Sequence, residues 1–326
     1  MFEGNKPKEA RSLKCLICAG VTVSFGAPFY DDRYGYPGSF ALFKCGSCGH
    51  VFLQGDFPPE LLHDLYSNYY PRATYDLERY QPYQEKSGIG VWLAGEKCSP
   101  FRWVPRNVRV LDIGCGFGES LGYHRARGCD VYGVEADENI RRVAERFGYK
   151  VYVGLFDPGA YEANFFDFVT MKQVIEHVIN PVQTLRGIAR VLIPGGVAIL
   201  STPNVDGWGV KVFGRRWINW HAPYHLQFFT STSMRMAAEQ AGLVVERSMT
   251  ITPSVWLHFQ WLHLITYPSE GKPSVFWAPG GTWSFMQRLV FKGLSITHRL
   301  RLDHAITRVF DALGVGDNRL FFLRKP

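Results

Sequence analysis

Three glycines at alternate positions behind an acid, in Val108-Arg-Val-Leu-Asp-Ile-Gly-Cys-Gly-Phe-Gly-Glu119, constrain this chain more than any other stretch. Val108, Val110, Leu111 and Ile113 form a short apolar run of the kind buried on both faces of a parallel sheet. Gly114, Gly116 and Gly118 then let the backbone turn sharply and approach a ligand without Cβ interference. The stretch predicts a strand that runs into a ligand-binding turn.

Spacing separates two nucleotide ligands. A dinucleotide fingerprint wants G-x-G-x-x-G, with pyrophosphate at the N-terminus of the next helix. Here the glycines are spaced G-x-G-x-G behind Asp112, and the next apolar run, Asp130-Val-Tyr-Gly-Val-Glu135, also ends in an acid. A carboxylate inside the turn repels phosphate and suits a cationic ligand, whereas an acid at Glu135 suits ribose hydroxyls in either case.

The following segments alternate. Phe165 to Lys172 reads as a strand, Val174 to Pro181 as the turn leaving it and Val182 to Leu192 as a helix. Pro194-Gly-Gly then starts another apolar strand, Val197 to Pro203. Strands and helices at this interval predict a parallel sheet covered on both faces. The F-D-x-V, E-H-V-x-x-P, L-x-P-G-G and S-T-P-N series after the glycine turn, over about residues 105 to 250, resembles the class I S-adenosylmethionine-dependent methyltransferases. The likeness is to the branch with ubiquinone-type O-methyltransferases and many sugar and natural-product enzymes.

That resemblance implies an α/β, Rossmann-like fold with a seven-stranded methyltransferase sheet. It puts the glycine turn against the methionine part of the cofactor and Glu135 on the ribose. The cofactor contacts it implies are Asp112, Gly114, Cys115, Gly116, Gly118, Glu135, Ala136, Leu155, Phe156, Lys172 and Gln173. The implied activity is methyl transfer to an oxygen of a small-molecule or sugar-derived acceptor. Carbon or nitrogen methylation of a nucleotide sugar or natural product is the alternative, and a non-catalytic regulatory protein that binds the cofactor is the rival of another class.

Four of the seven cysteines are spaced as ligands. Cys15-x-x-Cys18 and Cys45-x-x-Cys48 are two C-x-x-C knuckles, which suit a closed structural Zn2+ site of four thiolates. Redox cysteines are the alternative, and the turn-forming Gly46 and Gly49 favour metal. His50 reads as a bystander, and Cys98, Cys115 and Cys129 as small buried hydrophobes. Such a zinc-ribbon-like segment resembles those that precede the core in bacterial sugar and small-molecule methyltransferases.

The predicted organisation is a zinc-ribbon-like module over 1–55, a Tyr/Pro-rich connecting and lid segment over 56–104, the core over 105–252, a helical insertion over 253–317 and the last strand over 318–326. The tyrosines of the connecting segment read as cover for the core, with Tyr75 and Tyr80 as lid candidates. With 326 residues, 46% hydrophobic and 20% charged, the chain can bury a full core. The net charge of +7 is scattered, without an arginine-rich or recognition-helix pattern, which argues against nucleic acid. Met1 to Lys14 lacks the apolar core of a secretory signal, so the expected location is cytoplasmic.

The acceptor side falls in Asn204 to Phe229, a long loop rich in aromatics whose rings can exclude water, about half of them read as core. An oxygen acceptor must lose a proton, and histidine is the expected base. His177 ranks first, His221 second, and His225 reads as an anchor before a helix capped at Ser231. In ubiquinone-type relatives the position of Gln173 carries a second carboxylate, so no magnesium is expected here. About 65 residues separate the strand Leu243 to Ile251 from the last strand, Asn318 to Arg324, too many for a bare connection. They read as a cap on the acceptor cleft or a dimer face ahead of a peripheral membrane contact; a lipid-linked acceptor would unite cap and membrane.

Overall fold

The computed structural model describes residues 13–70 and 77–326. Tyr75 lies outside the described residues. The chain opens with three short strands, β1 (Thr22–Ser24), β2 (Leu42–Cys45) and β3 (Val51–Leu53), followed by helices α1 (Pro59–Asp64) and α2 (Ile89–Ala94). The core then alternates β4 (Arg109–Ile113), α3 (Glu119–Arg125), β5 (Asp130–Glu135), α4 (Ile140–Phe147), β6 (Lys150–Val153), β7 (Phe166–Lys172), α5 (Pro181–Val191) and β8 (Leu192–Pro203). Helix α6 (Trp208–Phe213), strand β9 (Gln227–Phe228), helix α7 (Ser231–Gln240) and strand β10 (Val244–Thr250) follow. Three helices, α8 (Val255–Ile265), α9 (Phe285–Arg299) and α10 (Leu302–Ala312), precede β11 (Asn318–Arg324).

The large sheet has the order β10-β11-β8-β7-β4-β5-β6. Its strands are parallel except β11, which runs antiparallel to β8 and β10. This is the seven-stranded, Rossmann-like sheet of class I methyltransferases. Val110 and Leu111, on opposite faces of β4, are both fully buried, which is why the run lacks polar alternation. Strand order reverses between β4 and β7, so their carboxyl ends flank a crevice, the usual ligand site of an open α/β sheet.

The N-terminal strands do not stand apart. They form a four-stranded sheet in the order β1-β2-β3-β9, with β9 contributed by the aromatic loop after β8. Trp217, Trp220 and Phe228 of that loop are buried against Leu42, Val51 and Leu53. These rings therefore form a core shared with the cysteine-bearing strands, so they do not wall an acceptor pocket. The cap of α7 also differs from expectation. Thr230 is the N-cap, its hydroxyl accepting from Ser233 N at 2.9 Å while Ser233 Oγ accepts from Thr230 N at 2.9 Å. Ser231 is already the first helical residue, and a cap must keep an extended backbone.

Since β10 is antiparallel to β11, and β11 to β8, the end of β10 lies on the same side of the sheet as the carboxyl ends of the parallel strands. The helical insertion therefore rises from the ligand side. Helix α8 packs onto the aromatic loop, with Gln260 Oε1 accepting from Ile218 N at 2.8 Å and Gln260 Nε2 donating to the Arg216 carbonyl at 2.8 Å. Among the described residues no helix is long and apolar enough to cross a membrane.

Candidate active site

A cavity of about 240 Å3 opens at the crevice between β4 and β7. Asp112, Gly114, Cys115, Gly116, Lys172 and Gln173 line it, together with Tyr83 and Phe101 from the connecting segment. Gly114, Gly116 and Gly118 have φ of +73°, +58° and +82°, the left-handed region that favours glycine. At Gly116 nothing lies within 4 Å of where a Cβ would sit, whereas at Gly114 a Cβ would strike Val174 Cγ2 at 2.4 Å. The turn is thus open on the crevice side and tight against the fold behind it.

Acids surround this turn. Asp112 is buried and accepts from Thr170 Oγ1 at 2.6 Å and from Ser120 Oγ. Burial pushes its carboxyl up, and the two hydroxyls oppose that rise. Glu135 accepts from Gly116 N at 2.8 Å and from Asp137 N at 2.9 Å, which fixes its carboxylate against the turn. On the opposite wall Lys172 is exposed, its Nζ 5.7 Å from the Tyr83 ring centroid. Carboxylates around an open glycine turn, with a lone cation across from them, fit a ligand that carries a cationic centre and a carboxylate of its own.

Other expected contacts lie elsewhere. Ala136 and Leu155 are exposed in the loops after β5 and β6, and Phe156 packs beside Gly187 of α5; none of the three lines the cavity, nor do Gly118 and Glu135, which belong to the turn and its backing. Gln173 borders it, but its amide is held by Ser201 Oγ at 3.2 Å and Asn318 Oδ1 at 2.8 Å. Tyr80 is no lid. Its buried hydroxyl donates to the Gly118 carbonyl at 2.8 Å and lies 2.8 Å from the Tyr149 hydroxyl, so it braces the turn from within.

Four residues beyond Gln173 the chain brings the expected bases together. His177 Nδ1 lies 2.9 Å from the Tyr224 carbonyl oxygen, and His225 Nδ1 lies 2.8 Å from that of Asn219. A carbonyl only accepts, so each Nδ1 carries the proton and each Nε2 is left as an acceptor. Burial holds His177 down to about 4 and His225 well below its usual range, so both are neutral near pH 7. His221, at φ +38°, stacks on Tyr224 at 4.7 Å, and its Nε2 has no partner.

Glu176 is fully buried; neither of its carboxyl oxygens makes a well-formed hydrogen bond, and the Thr202 hydroxyl and its own backbone N–H are the donors near it. Burial pushes it up to about 8. One donor atom from each of Glu176, His177 and His225 lies within 4.8 Å of the others. Two nitrogens and one oxygen suit a borderline divalent ion better than magnesium, which wants oxygen ligands.

The walls here are tyrosines. Tyr70 and Tyr224 contact each other and both Tyr34 and Tyr66, with ring centroids 5.3–5.7 Å apart, and the Tyr66 hydroxyl lies 3.1 Å from His177 Nδ1. Tyr34 arrives from the loop between β1 and β2, so the N-terminal segment supplies part of this wall. Sequence spacing did not single out Tyr34 or Glu176 as site residues. The acid beside His177 was the available signal for Glu176, and for Tyr34 no local pattern exists.

The four knuckle cysteines also converge. Their Sγ atoms lie within 4.8 Å of one another, with Cys15–Cys48 at 3.6 Å and Cys18–Cys45 at 3.4 Å. Zinc bound tetrahedrally at about 2.3 Å holds its sulfurs roughly 3.8 Å apart, so the set fits that ion. Ile17 N and Ser47 N each approach a knuckle sulfur at 3.4 Å, which suits thiolates. His50 Nε2 is taken by Gln227 Oε1 at 2.9 Å.

The family model for a methyltransferase domain matches residues 67–248, more than half of the chain. The chain belongs to the methyltransferase-domain family. Its seven-stranded sheet is that of the class I, S-adenosylmethionine-dependent methyltransferases. Among curated proteins it is 31% identical over 159 residues to the ubiquinone biosynthesis O-methyltransferase of Aromatoleum aromaticum, covering 43% of this chain and 68% of that protein. It is 32% identical over 164 residues to the protein of the same name from a Ruegeria species, covering 46% of this chain and 66% of that one. The methyltransferase thus spans about two thirds of the length of these relatives. Among solved structures, an S-adenosylmethionine-dependent methyltransferase from Mesorhizobium loti aligns at 16% identity with a TM-score of 0.43, covering 73% of this chain and 98% of that one.

Proposed function

We propose that this methyltransferase moves a methyl group from S-adenosylmethionine to an oxygen of a small-molecule or sugar-derived acceptor. The cofactor supplies an already activated methyl on a cationic sulfur, so the chain must orient the acceptor, exclude water and accept a proton. In this reading Glu135 takes the ribose hydroxyls, the Asp112–Gly118 turn lies under the methionine part and Lys172 faces its carboxylate. His177 Nε2 accepts the acceptor's proton, and Glu176 beside it strengthens that base when it ionises. The tyrosines around Tyr224 enclose the acceptor, and Cys15, Cys18, Cys45 and Cys48 hold a structural zinc ion that fixes the loop carrying Tyr34.

The observation that carries the proposal is the buried, poorly hydrogen-bonded Glu176 carboxyl beside the neutral His177, on the segment that leaves the glycine-turn cavity at Gln173. A poorly hydrogen-bonded buried carboxyl is costly to the fold. A protein that only binds the cofactor has no use for one, which weighs against the regulatory reading.

The test is calorimetric titration with S-adenosylmethionine, then methyl transfer to a panel of phenolic, sugar and lipid-linked hydroxyl acceptors. Absence of binding by folded protein sinks the cofactor assignment. Binding with transfer only to carbon or nitrogen acceptors sinks the oxygen assignment alone.

A further inference from the structure

Helices α9 and α10 present apolar side chains to solvent. On α9 and its C-cap, Phe285, Leu289, Ile296 and Leu300 are 78%, 54%, 56% and 66% exposed and recur at helical spacing along one line, and Met286, Val290 and Phe291 extend the exposed apolar surface beside it. On α10, Leu302, Ile306, Val309 and Leu313 form a second such stripe, each at least 45% exposed. Helix α2 lies beside α10, where Arg308 donates to the Trp92 carbonyl at 3.2 Å, and adds the exposed Ile89 and Trp92. Scattered surface hydrophobes need no explanation, but a continuous patch of this kind marks an interaction surface.

On α10 the stripe is not a core face left unfolded, because the opposite side of that helix is already engaged, whereas α9 has no fully buried residue and is held through His298. Asp303 is buried and bonded to His298 and to His304 Nδ1, the latter at 2.8 Å. Thr307 Oγ1 donates to Ser254 Oγ at 3.0 Å, and Arg308 pairs with Asp311 at 2.8 Å.

Charge identifies the occupant. Arg288, Lys292 and Arg299 lie on one line of α9, adjacent to its apolar stripe, and Arg301 follows; all four are exposed. Between Trp283 and Gly314 the acids are Asp303 and Asp311, and both are turned inward to the partners just named. Two copies meeting through this face would oppose like charges. An anionic lipid surface complements them, with the apolar stripe entering the acyl boundary and the basic line resting on the headgroups.

We propose that the α2/α9/α10 face docks the protein on anionic phospholipid bilayers. Because the insertion rises from the ligand side of the sheet, docking sets the acceptor cleft close to the membrane. The face is independent of the methyl-transfer reading, and the test uses neither cofactor nor acceptor.

Purified full chain is floated with vesicles of phosphatidylglycerol and phosphatidylcholine in equal parts and with phosphatidylcholine vesicles alone, at low and high salt. The chain should float with the anionic vesicles, and the bound fraction should fall with salt. Leu289→Glu with Ile306→Glu should lower it by about tenfold or more, as a loss of buried apolar side chains requires. Lys292→Glu with Arg299→Glu alters only exposed groups, so it should fold normally and also release the protein. A melting temperature equal to wild type verifies each variant. No flotation with anionic vesicles, or flotation unchanged in both variants, overturns the proposal. So does a stable dimer by light scattering that Leu289→Glu with Ile306→Glu dissociates.

Discussion

His177 and Tyr224 are joined side chain to backbone, with Nδ1 2.9 Å from the carbonyl oxygen. The contact ties the segment leaving β7 to the aromatic loop after β8, and the Leu226 N to Glu176 O bond at 2.7 Å repeats the tie one step along. It also selects the tautomer, leaving Nε2 to accept a proton.

His177→Ala should reduce methyl transfer roughly a hundred- to ten-thousandfold, the usual range for a positioned base. The S-adenosylmethionine Kd should stay within about twofold of wild type, because His177 does not line the glycine-turn cavity. Single-turnover transfer with calorimetry checks both. A wild-type transfer rate removes the base.

Glu176 gives the site a pH signature. Its carboxyl is raised from 4.5 to about 8, so the folded chain keeps a proton there that the unfolded chain releases near 4.5. Its stabilising contribution is complete below about 4.5 and is lost as pH rises to about 8. His177, lowered from 6.5 to about 4, acts oppositely, its contribution being present above 6.5 and lost as pH falls to about 4. Thermal melts of Glu176→Gln should therefore lack the decline between about pH 4.5 and 8, and kcat/KM should lose a limb that rises through about pH 8 in the wild type.

Gly116 and Glu135 separate cofactor binding from folding. At Gly116→Ala the added methyl meets no protein atom within 4 Å but needs φ +58° and projects into the crevice. It should cost about 1–2 kcal/mol of stability and weaken S-adenosylmethionine binding far more than that cost accounts for. Glu135→Ala removes charge-assisted bonds worth about 1.5–3 kcal/mol each, so Kd should rise by about tenfold or more. Unchanged affinity in both would move the cofactor off this turn.

Metal analysis should find one zinc per chain, lost in Cys45→Ser. Because β3 pairs with β9, freeing the knuckles should loosen the loop that carries Tyr224 and raise the acceptor KM before it alters cofactor affinity. A metal-free wild type with normal stability would leave the cysteines as plain thiols.

Local chemistry alone was enough for the glycine turn, the acids that end β4 and β5, the carboxyl ends of the strands and the cysteine knuckles; β8 begins at Leu192, before the Pro194-Gly-Gly expected to precede it. A positive φ needs glycine, a parallel strand needs apolar residues on both faces, and a C-x-x-C loop chelates within itself, so each leaves its mark in consecutive residues. The positions of β10 and β11 were legible for the same reason, to within a residue at each end.

The acceptor side was not legible, because it is built from segments far apart in sequence. Trp217 and Trp220 read equally well as pocket wall or core, and only the pairing of β9 with β3 assigned them to the core. Tyr34 meets Tyr224 at 5.4 Å across almost three fifths of the chain, a contact that no periodicity encodes. Solvent likewise decided the helical insertion. Amphipathic spacing is identical for a buried cap and an exposed face, and which side of α9 stays wet depends on what α8 and α10 already cover. The sequence by itself determined the sheet, the turn and the ligand chemistry they imply. Tertiary packing decided which histidine nitrogens are tied to backbone carbonyls, which aromatics pack together beside them and which apolar stripe is left uncovered.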